Sequence, residues 1–295
     1  MAALQAMASE EIRRTFDAEA GCVTGCTAAG IAIAAAAAMT GSDLKKIEQL
    51  PDTSGMKGEI LLPGTHDVWF GAKVGQMIRL SGARLVEKPG PKVAAAVFVS
   101  SHHVHSDLRL EDLLGKGMPV IVDAAGSVDI APFLRAGAAL VLASAQKNFL
   151  GPTAGIVAGR KDLVAACLAQ ERGIGRAMKA GKESVAGVIA ALRYWNDTKG
   201  GLEKAWQGRA KRLCELLGGG RIEMDEPERR IPRARVTFAQ ARKAVETLRA
   251  MDPSVRVWEA GVAKGYFELD PRCLRDEEVE TLAKQVKSVI ERISP

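Results

Sequence analysis

Apolar runs without polar alternation constrain this chain most: Val93–Val99, then 119–122, 139–143 and 154–158. A half-solvated strand alternates apolar with polar residues, because successive side chains point to opposite faces. Unbroken short runs bounded by Gly, Pro or Asp read instead as strands buried on both faces. Helical stretches separate them, and the rhythm of strand, helix and strand with short loops argues for an open, mainly parallel sheet. The expected fold is α/β, a three-layer sandwich with helices on both faces of the sheet. At 295 residues, 47% apolar and 26% charged, the chain has material for such a core and is not a disordered sequence.

Local signals fill in the frame. The first twenty residues read as a helix. Residues 21–30 read as a turn containing Gly and Thr, followed by an alanine-rich helix to about Met39, which residues 40–43 stop. Residues 59–62 and 84–87 read as strands, 68–80 and 110–117 as helices, and Pro89-Gly-Pro91 as a turn. From 161 to 217 the pattern is helical, and Gly218-Gly-Gly220 reads as a hinge. Beyond it, strands at 234–238, 255–259 and 266–269 alternate with helices at 240–251 and 277–293. The expected domains are an N-terminal helix (1–20), a large domain (21–217) and a small α+β domain (218–295).

The excess of 41 Lys and Arg over 35 Asp and Glu gives +6, and residues 203–249 hold most of it. Such a mild, local excess reads as a solvated basic helical face, and binding to tRNA is not expected. The cysteines Cys22, Cys26, Cys167, Cys214 and Cys273 are odd in number and scattered, which fits a reducing cytoplasm and no disulfide framework. The longest apolar run, 31–39, is too short to span a bilayer. Glu10, Glu11, Arg13 and Arg14 stand where a signal peptide needs its apolar centre, so no membrane partner is expected.

In open α/β sheets, ligands bind at the carboxyl ends of the strands. Lys147, in Ser144-Ala-Gln-Lys147, is either an amine that condenses with an aldehyde or a surface loop lysine. Asp123 ends the run at 119–122; it suits a pyridinium nitrogen, a metal, a ribose hydroxyl or a helix N-cap. Thr24-Gly25-Cys26-Thr27 opens the alanine helix, where amides and the helix dipole favour a phosphate. His102, His103 and His105 lack HExxH spacing, and extended alternation would send neighbours to opposite faces, so no metal site is expected. His66, at a strand-to-helix turn, is the imidazole best placed to line the cleft, with His103 a candidate toward substrate.

Together the stretches Val23-Thr-Gly-Cys-Thr-Ala-Ala-Gly30, Gln49-Leu-Pro-Asp52, Val120-Ile-Val-Asp123-Ala-Ala125, Ser144-Ala-Gln-Lys147, Gly159-Arg-Lys-Asp-Leu163, Gly173-Ile-Gly-Arg176-Ala-Met-Lys179 and Gly265-Tyr-Phe-Glu-Leu-Asp-Pro-Arg272 resemble one family in order and spacing. It is the fold-type I pyridoxal-phosphate enzymes, in the branch of selenocysteine synthase and the D-glucosaminate-6-phosphate ammonia-lyases. The family's phosphate turn typically reads Thr-Ser-Gly-Ala, where this chain has Thr24-Gly25-Cys26-Thr27.

The resemblance implies pyridoxal 5′-phosphate as cofactor, with Lys147 condensing with its aldehyde and Asp123 keeping its ring nitrogen protonated. It implies His66 against the ring, Ser144 and Thr24, Gly25, Cys26 and Thr27 around the phosphate, and Arg176 and Lys179 toward phosphate or substrate. The activity it implies is a lyase that deprotonates Cα of an amino acid or amino sugar acid and eliminates at Cβ, in a homodimer or larger assembly. Two alternatives stand beside it: a non-catalytic relative kept for binding or dimerisation, and a transferase acting on aminoacyl-tRNA.

Overall fold

The structure is a computed structural model and describes residues 1–224 and 231–294. It divides into two compact units, residues 1–197 and 198–295. The elements of the first unit are α1 (Ala2–Phe16), β1 (Ala20–Thr24), α2 (Thr27–Thr40), α3 (Leu44–Gln49), β2 (Glu59–Leu61), α4 (Val74–Arg79), β3 (Arg84–Val86) and β4 (Val93–Val99). They continue with β5 (Val120–Asp123), α5 (Ala131–Ala136), β6 (Leu140–Ser144), α6 (Ala145–Asn148), β7 (Gly155–Gly159), α7 (Lys161–Ala169) and the start of the long α8 (Lys182–Leu217).

Seven strands form one sheet in the order β1-β7-β6-β5-β4-β2-β3. Strand β7 runs antiparallel to both neighbours, and the remaining pairs are parallel. Every residue of β1, β5, β6 and β7 is buried, as the missing alternation requires of strands covered on both faces. The alanine run becomes α2, in which Ala32 and Ala34 to Ala37 have no exposed surface. A helix buried nearly all round needs small side chains to lie close to the sheet and its neighbours.

Residues 20–24 are a strand, where the sequence reads as a turn. Small residues and no apolar run hide it, and among the described residues no strand pairs with its outer edge. Instead α1 covers that edge. The Gln5 carboxamide donates to the Val23 carbonyl (2.8 Å) and accepts the Val23 N–H (3.0 Å), and Ser9 Oγ accepts the Gly21 N–H (3.0 Å). Ile12 packs so tightly on Gly21 that a Cβ there would collide with it. An edge strand's open backbone groups are thus answered by side chains one helical turn apart.

Other expectations are revised by local backbone chemistry. The helix expected at 68–80 begins only at Val74: Gly71 (φ 90°) and the Phe70 N–H to Ala72 carbonyl bond make a tight turn, and Asp67 Oδ1 accepts the Gly75 N–H at 2.7 Å. Positive φ at Gly115 and Gly117 limits the helix expected at 110–117 to a single 3₁₀ turn, Leu110–Asp112.

In the second unit β8 (Arg221–Met224), β9 (Pro232–Thr237), α9 (Ala241–Arg249), β10 (Tyr266–Leu269) and α10 (Glu278–Ile293) follow the end of α8. The antiparallel sheet β10-β9-β8 packs Ala234, Val236, Phe267 and Leu269 into a core with α9 and α10. The expected strand at 255–259 is reduced to one bridge between Trp258 and Glu268, and the edge strand β8 is new. Part of the basic charge here is ion-paired, with Arg209 to Asp276 at 2.7 Å and Arg212 to Glu280 at 2.9 Å; Arg229 and Arg230 lie outside the described residues. Among the described residues no helix is long and apolar enough to cross a membrane.

Candidate active site

Strands β1, β5 and β6 end on the same edge of the first unit's sheet. Just beyond them Cys26, Thr27, Asp123, Ser144 and Lys147 line one cavity of about 210 Å³. Five side chains expected at a cofactor thus meet in one place, together with Phe70, Gln146 and Thr153.

Lys147 sits on α6, a single turn pinned through both backbone groups of its first residue. The Ala145 N–H donates to the Ala154 carbonyl (3.1 Å), and the Gly151 N–H donates back to the Ala145 carbonyl (3.0 Å). Phe149 is buried against Phe16 (5.4 Å between ring centroids) and Trp195 (5.3 Å), both edge to face. With that anchor the Lys147 side chain stays exposed on the cavity wall, its ammonium 5.9 Å from the centre of the Phe70 ring.

Asp123 is 4% exposed, and its Oδ1 accepts the Ala125 N–H at 3.1 Å. Burial pushes this acid above the usual carboxylate range, and the Ala125 N–H and the Lys147 charge only partly offset it. The site therefore contains a buried acid that would be stabilised as an anion by one more positive hydrogen-bond donor.

Cys26 caps α2, its Sγ accepting the Ala29 N–H at 3.3 Å. First-turn amides of a helix lack intrahelical acceptors, so the start of α2 suits an anion at the cavity. Thr27 Oγ1 donates to the Ala143 carbonyl of β6 (3.2 Å), fixing the helix start against the strand that leads to Lys147.

The remaining expected residues lie elsewhere. Thr24 is buried and donates its hydroxyl to the Cys26 carbonyl (2.9 Å), and the Gly25 N–H donates to the Met178 carbonyl (2.9 Å), so both brace the turn from behind. Lys179 pairs with Thr24 through its backbone, and Arg176 is exposed; neither lines the cavity. His66, expected against the ring, is fully buried instead. Its Nδ1 accepts the Val99 N–H (2.9 Å), its ring lies 4.7 Å from Phe98, and its Nε2 has no partner among the described residues. Burial lowers its pKa, so His66 is a neutral link between the segment after β2 and the end of β4. His102 and His103 sit in a turn, where their rings meet at 3.7 Å rather than facing opposite ways. His103 reaches the edge of the cavity through Phe70, 5.5 Å away.

No family model matches the sequence. A D-glucosaminate-6-phosphate ammonia lyase from Salmonella typhimurium (strain 14028s / SGSC 2262) is 33% identical over 317 residues, 98% of this chain and 86% of the relative. The chain belongs to the D-glucosaminate-6-phosphate ammonia-lyase family of fold-type I pyridoxal-phosphate enzymes. A solved structure of D-glucosaminate-6-phosphate ammonia-lyase matches with a TM-score of 0.82, covering 99% of this chain and 86% of that one. A 5′-C-glycyluridine monooxygenase-decarboxylase from Streptomyces sp is 36% identical over 302 residues, 91% of this chain and 75% of the relative. An L-threonine transaldolase from Pseudomonas fluorescens, 15% identical, shares the fold with a TM-score of 0.59 over 99% of this chain and 73% of that one.

Phe70, Gln146 and Thr153 are among the lining residues of this fold-type I site that the sequence pattern does not single out. Gln146 and Thr153 are joined by a hydroxyl-to-carbonyl bond of 2.6 Å; Gln146 directly precedes Lys147, and that adjacency is its signal, while Thr153 lies beyond the next turn. Phe70 had none, because it reaches the cavity only through the Gly71 turn inside a stretch with a helical pattern.

Proposed function

We propose that this protein is a pyridoxal-phosphate-dependent lyase that releases ammonia from an amino acid or amino sugar acid. One observation carries the reading: a lysine, a buried carboxylate and a helix N-terminus converge on one cavity at the carboxyl edge of the sheet.

The cavity's chemistry fits the cofactor. Asp123 lacks a strong cationic partner, and a protonated pyridine nitrogen is the group that would stabilise it as an anion. The start of α2, with Cys26 and Thr27, and Ser144 at the start of α6 would hold the phosphate. Lys147 would hold the aldehyde carbon. When bound, pyridoxal phosphate supplies an electron sink for charge that develops at the substrate Cα.

The protein's own part is then acid–base work. Lys147, as a neutral amine, takes the Cα proton. Asp123 stays ionised and holds the proton on the ring nitrogen. Phe70 forms one side of the cavity, with the His103 ring against its outer edge. A hydroxyl on Cβ would leave as water with a proton returned by Lys147; the resulting enamine takes a proton from solvent at Cβ to become an imine, which water hydrolyses to ammonia and a 2-keto acid.

The relationship to the ammonia lyase makes 6-phosphorylated amino sugar acids such as D-glucosaminate 6-phosphate the first substrates to try. Relationship to a monooxygenase-decarboxylase supports a second reading, in which the same Cα activation leads to oxidation and loss of carbon dioxide. The reading also includes a homo-oligomer in the cytoplasm. The support for association is apolar exposure beside the site, with Trp69 65%, Phe70 49% and Leu150 66% exposed on the segments that carry the cavity wall.

The test is a panel of amino acids and amino sugar acids, with and without a 6-phosphate, given to cofactor-loaded protein while ammonia, 2-keto acid, oxygen and carbon dioxide are followed. Equal release of ammonia and keto acid without oxygen uptake is the expected result. Oxygen uptake with carbon dioxide would move the assignment to the second reading, and no turnover would favour a binding role.

A further inference from the structure

Asn148 takes no part in the chemistry above, yet it is 3% exposed and directly follows Lys147. Its carboxamide nitrogen donates to the Gly126 carbonyl and to the Ser127 carbonyl, each at 2.9 Å. Those carbonyls belong to the turn after β5, which closes on itself where the Ser127 N–H donates to the Ala124 carbonyl (2.9 Å). The same turn supplies the Ala125 N–H that orients the Asp123 carboxylate, while the Asp123 carbonyl accepts the Ser100 N–H at 2.9 Å.

One side chain therefore ties the helix of Lys147 to the turn that aims Asp123. The two carbonyls need two donors from one short side chain, and few residue types supply that. Serine has one donor, ionised aspartate has none, leucine has none, and glutamine is a methylene too long for the same spacing. Phe149 fixes α6 from the other side through Phe16 and Trp195, so Asn148 and Phe149 together clamp the turn that carries the amine.

We propose that Asn148 is a positioning residue that sets the separation of Lys147 and Asp123 at the cavity, by way of its two bonds to Gly126 and Ser127. This inference rests on the site being a pyridoxal-phosphate site. Groups that act together need placement to a fraction of an ångström, and a loosened turn lets the carboxylate drift from the ring nitrogen. That nitrogen then loses its proton, and with it a positive charge that opposes protonation of the Lys147 nitrogen.

The test compares wild type with Asn148→Leu, which keeps the volume without donors, and Asn148→Ser, which keeps one donor. Affinity for pyridoxal phosphate is measured by equilibrium dialysis. The pH midpoint of the visible absorbance is measured on cofactor-loaded protein, and the melting temperature on cofactor-free protein. For Asn148→Leu the cofactor Kd rises about tenfold, as expected for losing buried hydrogen bonds. Its pH midpoint moves up by on the order of one unit, as loss of a neighbouring charge implies. Asn148→Ser falls between, and it alone decides the matter if Asn148→Leu does not fold. A lower melting temperature with unchanged Kd and midpoint would show a packing residue and overturn the proposal. Wild-type protein that binds no pyridoxal phosphate would instead overturn the reading of the site, and this inference with it.

Discussion

Replacing Gln5 with alanine removes both hydrogen bonds that close the outer edge of β1. The Val23 N–H and carbonyl would lose partners at 3.0 and 2.8 Å, and Val23 is only 3% exposed, so water does not replace them without opening α1. An unsatisfied buried backbone group costs about 1–3 kcal/mol, and the lost carboxamide packing adds to it. With two such groups the expected destabilisation is about 2–6 kcal/mol. In a unit of this size each kcal/mol moves the midpoint by about 2–4 °C, so cofactor-free Gln5→Ala should melt at least about 4 °C lower in a thermal scan followed by circular dichroism. Gln5→Glu sharpens the test, because an ionised carboxylate faces the Val23 carbonyl while a protonated one restores a donor. Gln5→Glu should approach wild-type stability as the pH falls below the carboxylate range. A midpoint for Gln5→Ala within 2 °C (about 0.5–1 kcal/mol) of wild type would refute the closing of the edge by α1 through this carboxamide.

Further outcomes follow from the site. Burial raises the Asp123 pKa, so folded cofactor-free protein holds that proton to higher pH than the unfolded chain does. Its contribution to stability is full below the unfolded value and is lost as pH rises through the folded one. Cofactor-free Asp123→Asn should therefore out-melt wild type on the alkaline side of that window, measured as midpoint against pH, while its cofactor-loaded form loses ammonia release. Phe149→Ala removes a side chain that is 1% exposed and packed between two rings, and should cost about 3–5 kcal/mol in chemical denaturation. Gly155→Ala forces a Cβ into the Cys26 carbonyl and the Thr24 hydroxyl, and should weaken cofactor binding in dialysis even where the variant folds.

Much of this arrangement is legible in the residues because burial on both faces leaves a direct mark. Val93–Val99 and the runs ending at Asp123 and Ser144 announce central strands, and the residue that follows each run is at the functional edge by construction. Asp123, Ser144 and Lys147 could be picked out for that reason. Strand β1 could not, because its partners are β7, distant in sequence, and a glutamine side chain from α1. His66 shows a second limit: its place after β2 was readable, while the inward rotation that gives its Nδ1 to Val99 depends on β4 lying beside it. Phe70 and Asn148 act through tertiary contacts, the first across the cavity and the second onto a turn some twenty residues earlier. Periodicity carries no trace of either.

On the proposed function, the amine of Lys147 is where the cofactor attaches. Purified protein incubated with pyridoxal phosphate, reduced with borohydride and digested should yield one modified peptide, with the pyridoxyl group on Lys147 and none in Lys147→Ala. Modification spread over surface lysines, or unchanged in Lys147→Ala, would contradict it.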